Sequence, residues 1–136
     1  MILLDTDICA AALKHHQKVM SRLLQHTGRV YLPFVVSAEL YFGVEKLAYK
    51  GQNVDQLRQR VNDFHDAIDG VLGVNEEMLR CYARLRARLE SSGQTIGAND
   101  TWIAAQALAE QAVLVTNNTR EFTRVPDLLL ENWLQE

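Results

Sequence analysis

Two rhythms of apolar and polar positions alternate along this chain. The opening run "MILLD" is unbroken and apolar until its carboxylate, which suits a buried strand carrying Asp5 at its C-terminal tip. "RVYLP" predicts a second strand stopped by Pro33, "GVLGV" a short one between glycines and "AVLVT" a fourth. "DLLLENW" predicts a terminal strand or extended edge, reached through a turn at "NNTREF". Between them the period lengthens to that of a helix. Thr6 or Asp7 can cap a helix continuing in some form toward His26. From Ser37, "SAELYFGVEKLAYK" gathers Val36, Leu40, Gly43, Val44 and Leu47 on one side. Residues 53–68 carry a stripe of Leu57, Val61, Phe64 and Ile68, residues 75–91 form a helix ended near Gly93, and a last helix spans 99–110.

Strands alternating with helices predict an α/β sandwich around a mainly parallel sheet, in a single domain covering residues 1–136. In such sheets the ligand site lies at the carboxyl ends of the strands. "MILLD" brings Asp5 there, and "LVTNN" brings Thr116, Asn117 and Asn118.

Composition narrows the function classes. A chain that is 48% hydrophobic and 136 residues long supports one real core. It has no apolar run near the roughly 20 residues that span a membrane. Its start lacks the basic segment and longer apolar block of a secretory signal, so a cytoplasmic protein is expected. Cys9 and Cys81 match no zinc spacing, and reduced thiols suit that compartment. A net charge of −3 argues against coating nucleic acid through bulk positive charge, so any such contact needs a local basic patch.

Three acids stand apart because each is attached to apolar positions. Asp5 ends a strand. Glu39 borders the core face of its helix, with Gly43 leaving space beside it. Asp100 precedes Ile103, Ala104, Ala107 and Leu108 on one helical face. Each has an ordinary alternative: a turn or cap at Asp5, a first-turn acid at Glu39, an N-cap at Asp100. Together they suggest more. Converging carboxylates repel one another, and a divalent ion relieves that repulsion. Hard oxygen ligands without a His or Cys partner favour Mg²⁺ or Mn²⁺, whose natural reaction is phosphodiester hydrolysis. Asn99 is then the expected cap of the Asp100 helix.

The motifs "LLDTDI", "SAELYFGVEK", "IGANDTWIAAQALA" and "VLVTNNTREFTRVPDLLLENW" cover nearly the whole chain. In order and spacing they resemble PIN-domain ribonucleases, most of all the VapC toxins of bacterial toxin–antitoxin pairs. The resemblance implies a three-layer α/β/α sandwich, an acidic pocket binding Mg²⁺ or Mn²⁺, and endonucleolytic cleavage of RNA, often transfer RNA. It matches Asp5, Glu39 and Asp100 to the family's acids, and implies a homodimer blocked by an antitoxin whose C-terminal segment enters the acidic groove. An antitoxin Arg against the carboxylates would compete with the ion. Two departures are visible. Position 7 is Asp where the family most often has Asn, and the fourth acid of many PIN domains is replaced by "TNN", with Glu121 as a stand-in or the asparagines holding metal waters.

Arg80, Arg84 and Arg88 recur on one helix face, and Lys14, His15, His16, Lys18 and Arg22 cluster near Asp5 in sequence. Both groups read either as solvated faces or as phosphate contacts. Arg120 and Arg124 read as phosphate contacts or ion-pair partners. No histidine is assigned to metal. Trp102, some 160° round its helix from Asp100, packs under a neighbouring helix or contributes to a dimer surface. Rival functions are a non-catalytic acidic groove that holds a basic peptide, DNA cleavage by the same metal chemistry, and a carboxylate-pair sugar hydrolase, which the 7% aromatic content does little to support.

Overall fold

The computed structural model describes residues 1–135. Five strands form one wholly parallel sheet in the order β3-β2-β1-β4-β5. These are β1 (Ile2–Leu4), β2 (Val30–Pro33), β3 (Gly70–Leu72), β4 (Val113–Val115) and β5 (Leu129–Glu131). The helices between them are α1 (Thr6–Leu13), α2 (Gln17–Gln25), α3 (Phe34–Tyr49), α4 (Asp55–Ala67), α5 (Glu76–Ser91), α6 (Ala98–Glu110) and the four-residue α7 (Thr119–Phe122). The right-handed rule for parallel crossovers, applied to this strand order, assigns α1–α4 to one face of the sheet and α5–α6 to the other, in keeping with the expected three layers.

The central strand is buried on both sides: Leu3 and Leu4 are fully buried, as are Leu32 and Leu114 on its two neighbours. Short runs of this kind lack strand alternation because no face is left to water. From β1 the chain steps outward to β2 and β3, then crosses back to β4 on the other side of β1. The direction of winding therefore reverses between β1 and β4, and the crevice beyond their carboxyl ends is where such sheets take ligands.

Several boundaries differ from the sequence expectation. The run toward His26 breaks into two helices, because His15 adopts a left-handed φ of 57°. The third helix begins at Phe34, directly after Pro33, instead of at Ser37. Pro33 ends its strand as expected, but it also leads straight into the helix. The "NNTREF" segment is not a plain turn; it holds α7. "DLLLENW" contributes a true parallel strand, paired with β4 from Leu129 to Glu131.

The early start of α3 has a partner far along the chain. The Phe34 N–H donates to Gln106 Oε1 at 3.3 Å, and Gln106 Nε2 donates to the carbonyls of Leu72 and Gly73 at 3.0 and 3.1 Å. Gln106 is 2% exposed, so one buried amide joins α6, the start of α3 and the end of β3. Among the described residues no helix is long and apolar enough to cross a membrane.

Replacing Gln106 by Leu keeps the volume but strands these three backbone groups. We expect a loss of about 3 kcal/mol in unfolding free energy, measured by urea denaturation.

Candidate active site

Asp5 follows β1 directly and is 7% exposed. Its Oδ1 accepts from the Thr6 N–H at 2.8 Å, so Asp5 itself caps α1, in place of the expected Thr6 or Asp7. Its Oδ2 accepts from Thr116 Oγ1 at 2.7 Å, and Thr116 is fully buried just beyond β4. Burial raises the Asp5 pKa above its ordinary 3.8, while these two bonds pull it back.

Asp7 lies in the first turn of α1. Its Oδ2 accepts from the Asn117 N–H at 3.0 Å, and its Oδ1 is buried with no hydrogen-bond partner. Burial and the charge of Asp5 raise its pKa. Asn117 is held from its other side, where Asn132 Nδ2 donates to Asn117 Oδ1 at 3.0 Å.

Asp100 is half-buried on the first turn of α6, with Ile103, Ala104 and Ala107 buried along the same face. Its pKa is pushed up to about 7, first by burial, then by a hydrogen bond with Glu121 and by the charges of Asp5, Glu121 and Asp7. Glu121 shifts downward as the other half of that bond, helped by Asn118 and by the nearby Arg124 guanidinium. A proton taken up by this pair therefore goes to the more buried Asp100 before Glu121. Asn118 Nδ2 bridges them, 3.1 Å from Glu121 Oε2 and 3.4 Å from Asp100 Oδ2.

Four carboxylates, Asp5, Asp7, Asp100 and Glu121, thereby act on one another at the winding reversal. Burial is the largest cause of the upward shift at all three aspartates, with the charges of neighbouring carboxylates adding to it at Asp7 and Asp100. Glu39 is linked to this group through Asn99, the residue before Asp100. Its Oε1 accepts from Asn99 Nδ2 at 2.6 Å, and a Cβ built on the neighbouring Gly43 would meet nothing within 4 Å, so the expected open space is there. Asn99 is not the cap of α6; Gly97 occupies that position without a side-chain bond. Among the described residues no three His, Cys, Asp or Glu side chains enclose an ion-sized site as they stand.

The basic residues divide. Arg80 pairs with Glu76 at 2.6 Å and Arg84 with Glu77 at 3.7 Å along their own helix, while Arg88 is exposed. Such exposed pairs hold a charge only loosely. Lys14 closes α1, and Lys18 lines a hollow of about 330 Å³ with Gln17, Ser21, Arg22 and Trp133. Arg124 donates to the Thr95 carbonyl at 2.8 Å, bracing the loop before α6. Trp102 stacks on Tyr82 with ring centroids 3.6 Å apart and meets Phe34 edge-on, which is the packing role and uses its faces within the chain. Cys9 and Cys81 are free thiols, Cys9 within the core. A cavity of about 420 Å³ lies away from the acid cluster. It is a mainly apolar groove between α2 and α4 lined by Leu13, Met20, Leu23, Leu24, Phe64 and Ile68.

The PIN domain family model matches residues 2–128. The chain belongs to the PIN-domain family. Ribonuclease VapC2 of Rickettsia felis is 39% identical over 137 residues, 96% of each chain. The tRNA(fMet)-specific endonuclease VapC of Shigella flexneri is 33% identical, again over 96% of each. Among solved structures, VapBC2 from Rickettsia felis bound to a promoter DNA fragment superposes with a TM-score of 0.87 at 36% identity, covering 98% of this chain and 99% of that one. VapBC-1 from nontypeable Haemophilus influenzae gives 0.84 at 32% identity, covering 99% and 100%. This PIN domain therefore sits among the VapC ribonucleases, with the five-stranded parallel sheet of their complexes.

The raised aspartates fix the sign of a pH effect. Between 3.8 and about 7 the folded chain keeps a proton on Asp100 that the unfolded chain has released. Stability is therefore fully present below about pH 3.8, falls as pH rises through that interval and then levels. Asp5 and Asp7 act in the same direction. Asp100→Asn removes the Asp100 contribution. Its melting temperature should match the wild type near pH 4 and exceed it near pH 8, as read by circular dichroism.

Proposed function

We propose that this PIN domain is a divalent-metal-dependent endoribonuclease toxin, acting on transfer RNA and restrained by a cognate antitoxin. The observation that carries the reading is the carboxylate cluster at the winding reversal, aimed by Thr116, Asn117 and Asn118, whose Asp7 Oδ1 is buried without a partner. Buried acids kept in that state destabilise the fold unless a ligand compensates. The oxygen-only donor set fits Mg²⁺ or Mn²⁺ better than zinc.

Asp5, Asp100 and Glu39 would hold the ion, with Asp7 and Glu121 able to share it. When bound, the ion supplies an activated water and stabilises charge on the leaving oxygen. The chain's own residues do the rest. Thr116 fixes the rotamer of Asp5, the Asn117 N–H fixes Asp7, and Asn118 orients Asp100 and Glu121 together. Each of these donors sits in "TNN", so the segment that lacks the extra acid of other PIN domains serves to aim the acids that are present. Lys18 and Arg22, in the hollow beside Trp133, and the stripe of Arg80, Arg84 and Arg88 supply cations for an RNA backbone.

Solved relatives that are VapBC complexes support an antitoxin as partner, and the apolar groove between α2 and α4 fits an amphipathic helix. Leu24, 77% exposed at that groove, is a natural anchor.

Purified protein should cleave transfer RNA in Mg²⁺ or Mn²⁺ and stop in excess chelator. Asp5→Ala and Asp100→Ala should each lose more than about a hundredfold in cleavage rate while keeping the fold. Full activity of either variant, or of the chelated protein, would refute the metal reading. Leu24→Glu should weaken antitoxin capture about tenfold or more without slowing cleavage, a split that binding and cleavage assays on one preparation resolve.

A further inference from the structure

We infer that Asn99 is the positioning residue for Glu39, setting its carboxylate for the ion from a neighbouring helix. The inference rests on the metal-dependent reading above.

An Asn in the first turn of a helix usually serves as a cap. Here Gly97 holds the cap position, and Asn99 is the second residue of α6. Its amide is released from the helix end and reaches sideways to α3, donating to Glu39 Oε1 at 2.6 Å. That length marks a charge-assisted bond.

Glu39 needs such a partner. It is a long side chain at the margin of the core, and Gly43 one turn on presents no wall against it. Asp5 is aimed by Thr116, Asp7 by Asn117, and Asp100 by Asn118 and Glu121; for Glu39 the corresponding donor is Asn99.

The bond is carried on rigid supports. The start of α3 is tied to α6 by Gln106 at Phe34, and Phe34 packs edge-on against Trp102 of α6. The span between Asn99 and Glu39 is therefore set by the packing of the helices. Asn99 and Asp100 are adjacent, so a single turn of α6 presents Asp100 to the Asp5 side and an amide to the Glu39 side. An amide orients a carboxylate without adding charge to a site already crowded with acids, as residues behind metal ligands do.

The test is a double-mutant cycle read by calorimetric titration of Mn²⁺ into RNA-free protein. Asn99→Ala should weaken Mn²⁺ binding about tenfold with an unchanged melting temperature. In a Glu39→Ala background the same change should have no further effect, since Asn99 acts only through that carboxylate. Wild-type affinity in Asn99→Ala overturns the inference, as does a full additional loss in the double variant. A wild-type protein that takes up no Mn²⁺ overturns the parent reading with it, which separates the two failures.

Discussion

The hydrogen bond from Thr116 to Asp5 is the constraint on which the rest of the molecule is arranged. It joins the ends of the two adjacent strands where the sheet changes winding direction. A carboxylate in that position loses most of its hydration and persists only with donors of good geometry. Thr116 supplies one, the start of α1 supplies another, and the Asp5 N–H completes the link by donating to the Val115 carbonyl at 2.9 Å. Once Asp5 is fixed, the remaining acids have a reference point. Asp7 follows one short step along α1, the asparagines follow Thr116, and Asp100 descends from α6 onto the same crevice.

Such an arrangement opposes the ordinary preference of a fold. Carboxylates that repel one another are placed where water is scarce, and the surrounding structure must hold them there. The compensations are recognisable. Gln106 satisfies three backbone groups from inside the core, and Trp102 is locked between Tyr82 and Phe34 on the flank of the same helix. Strain at functional sites is commonly offset by well-packed surroundings of this kind.

Much of this was legible in the sequence, because strands buried on both faces and helices with one apolar stripe leave clear patterns. The three acids were visible for the same reason: each interrupts such a pattern at its end. What escaped depends on partners distant along the chain. The early start of α3 needs Gln106, and nothing near Phe34 announces it. Asn99 looked like a cap because local chemistry favours one, but Glu39 competes for its amide from another helix. The role of Glu121 was half visible: the sequence offered it as a stand-in for a missing acid, but its bond with Asp100 depends on a helix distant along the chain.

The strand order has a temporal side as well. The first strand to be synthesised is the centre of the sheet, but its neighbour β4 begins only at Val113. Asp5 therefore leaves the ribosome long before Thr116, Asp100 and Glu121 exist to complete its surroundings. At roughly 5–20 residues per second, translation separates those events by many seconds. Parallel pairing across such sequence distances is also slow to form. A growing chain that has not yet reached β4 carries no assembled acid cluster. The topology thus delays assembly of the acid cluster until β4 and α7 have been made.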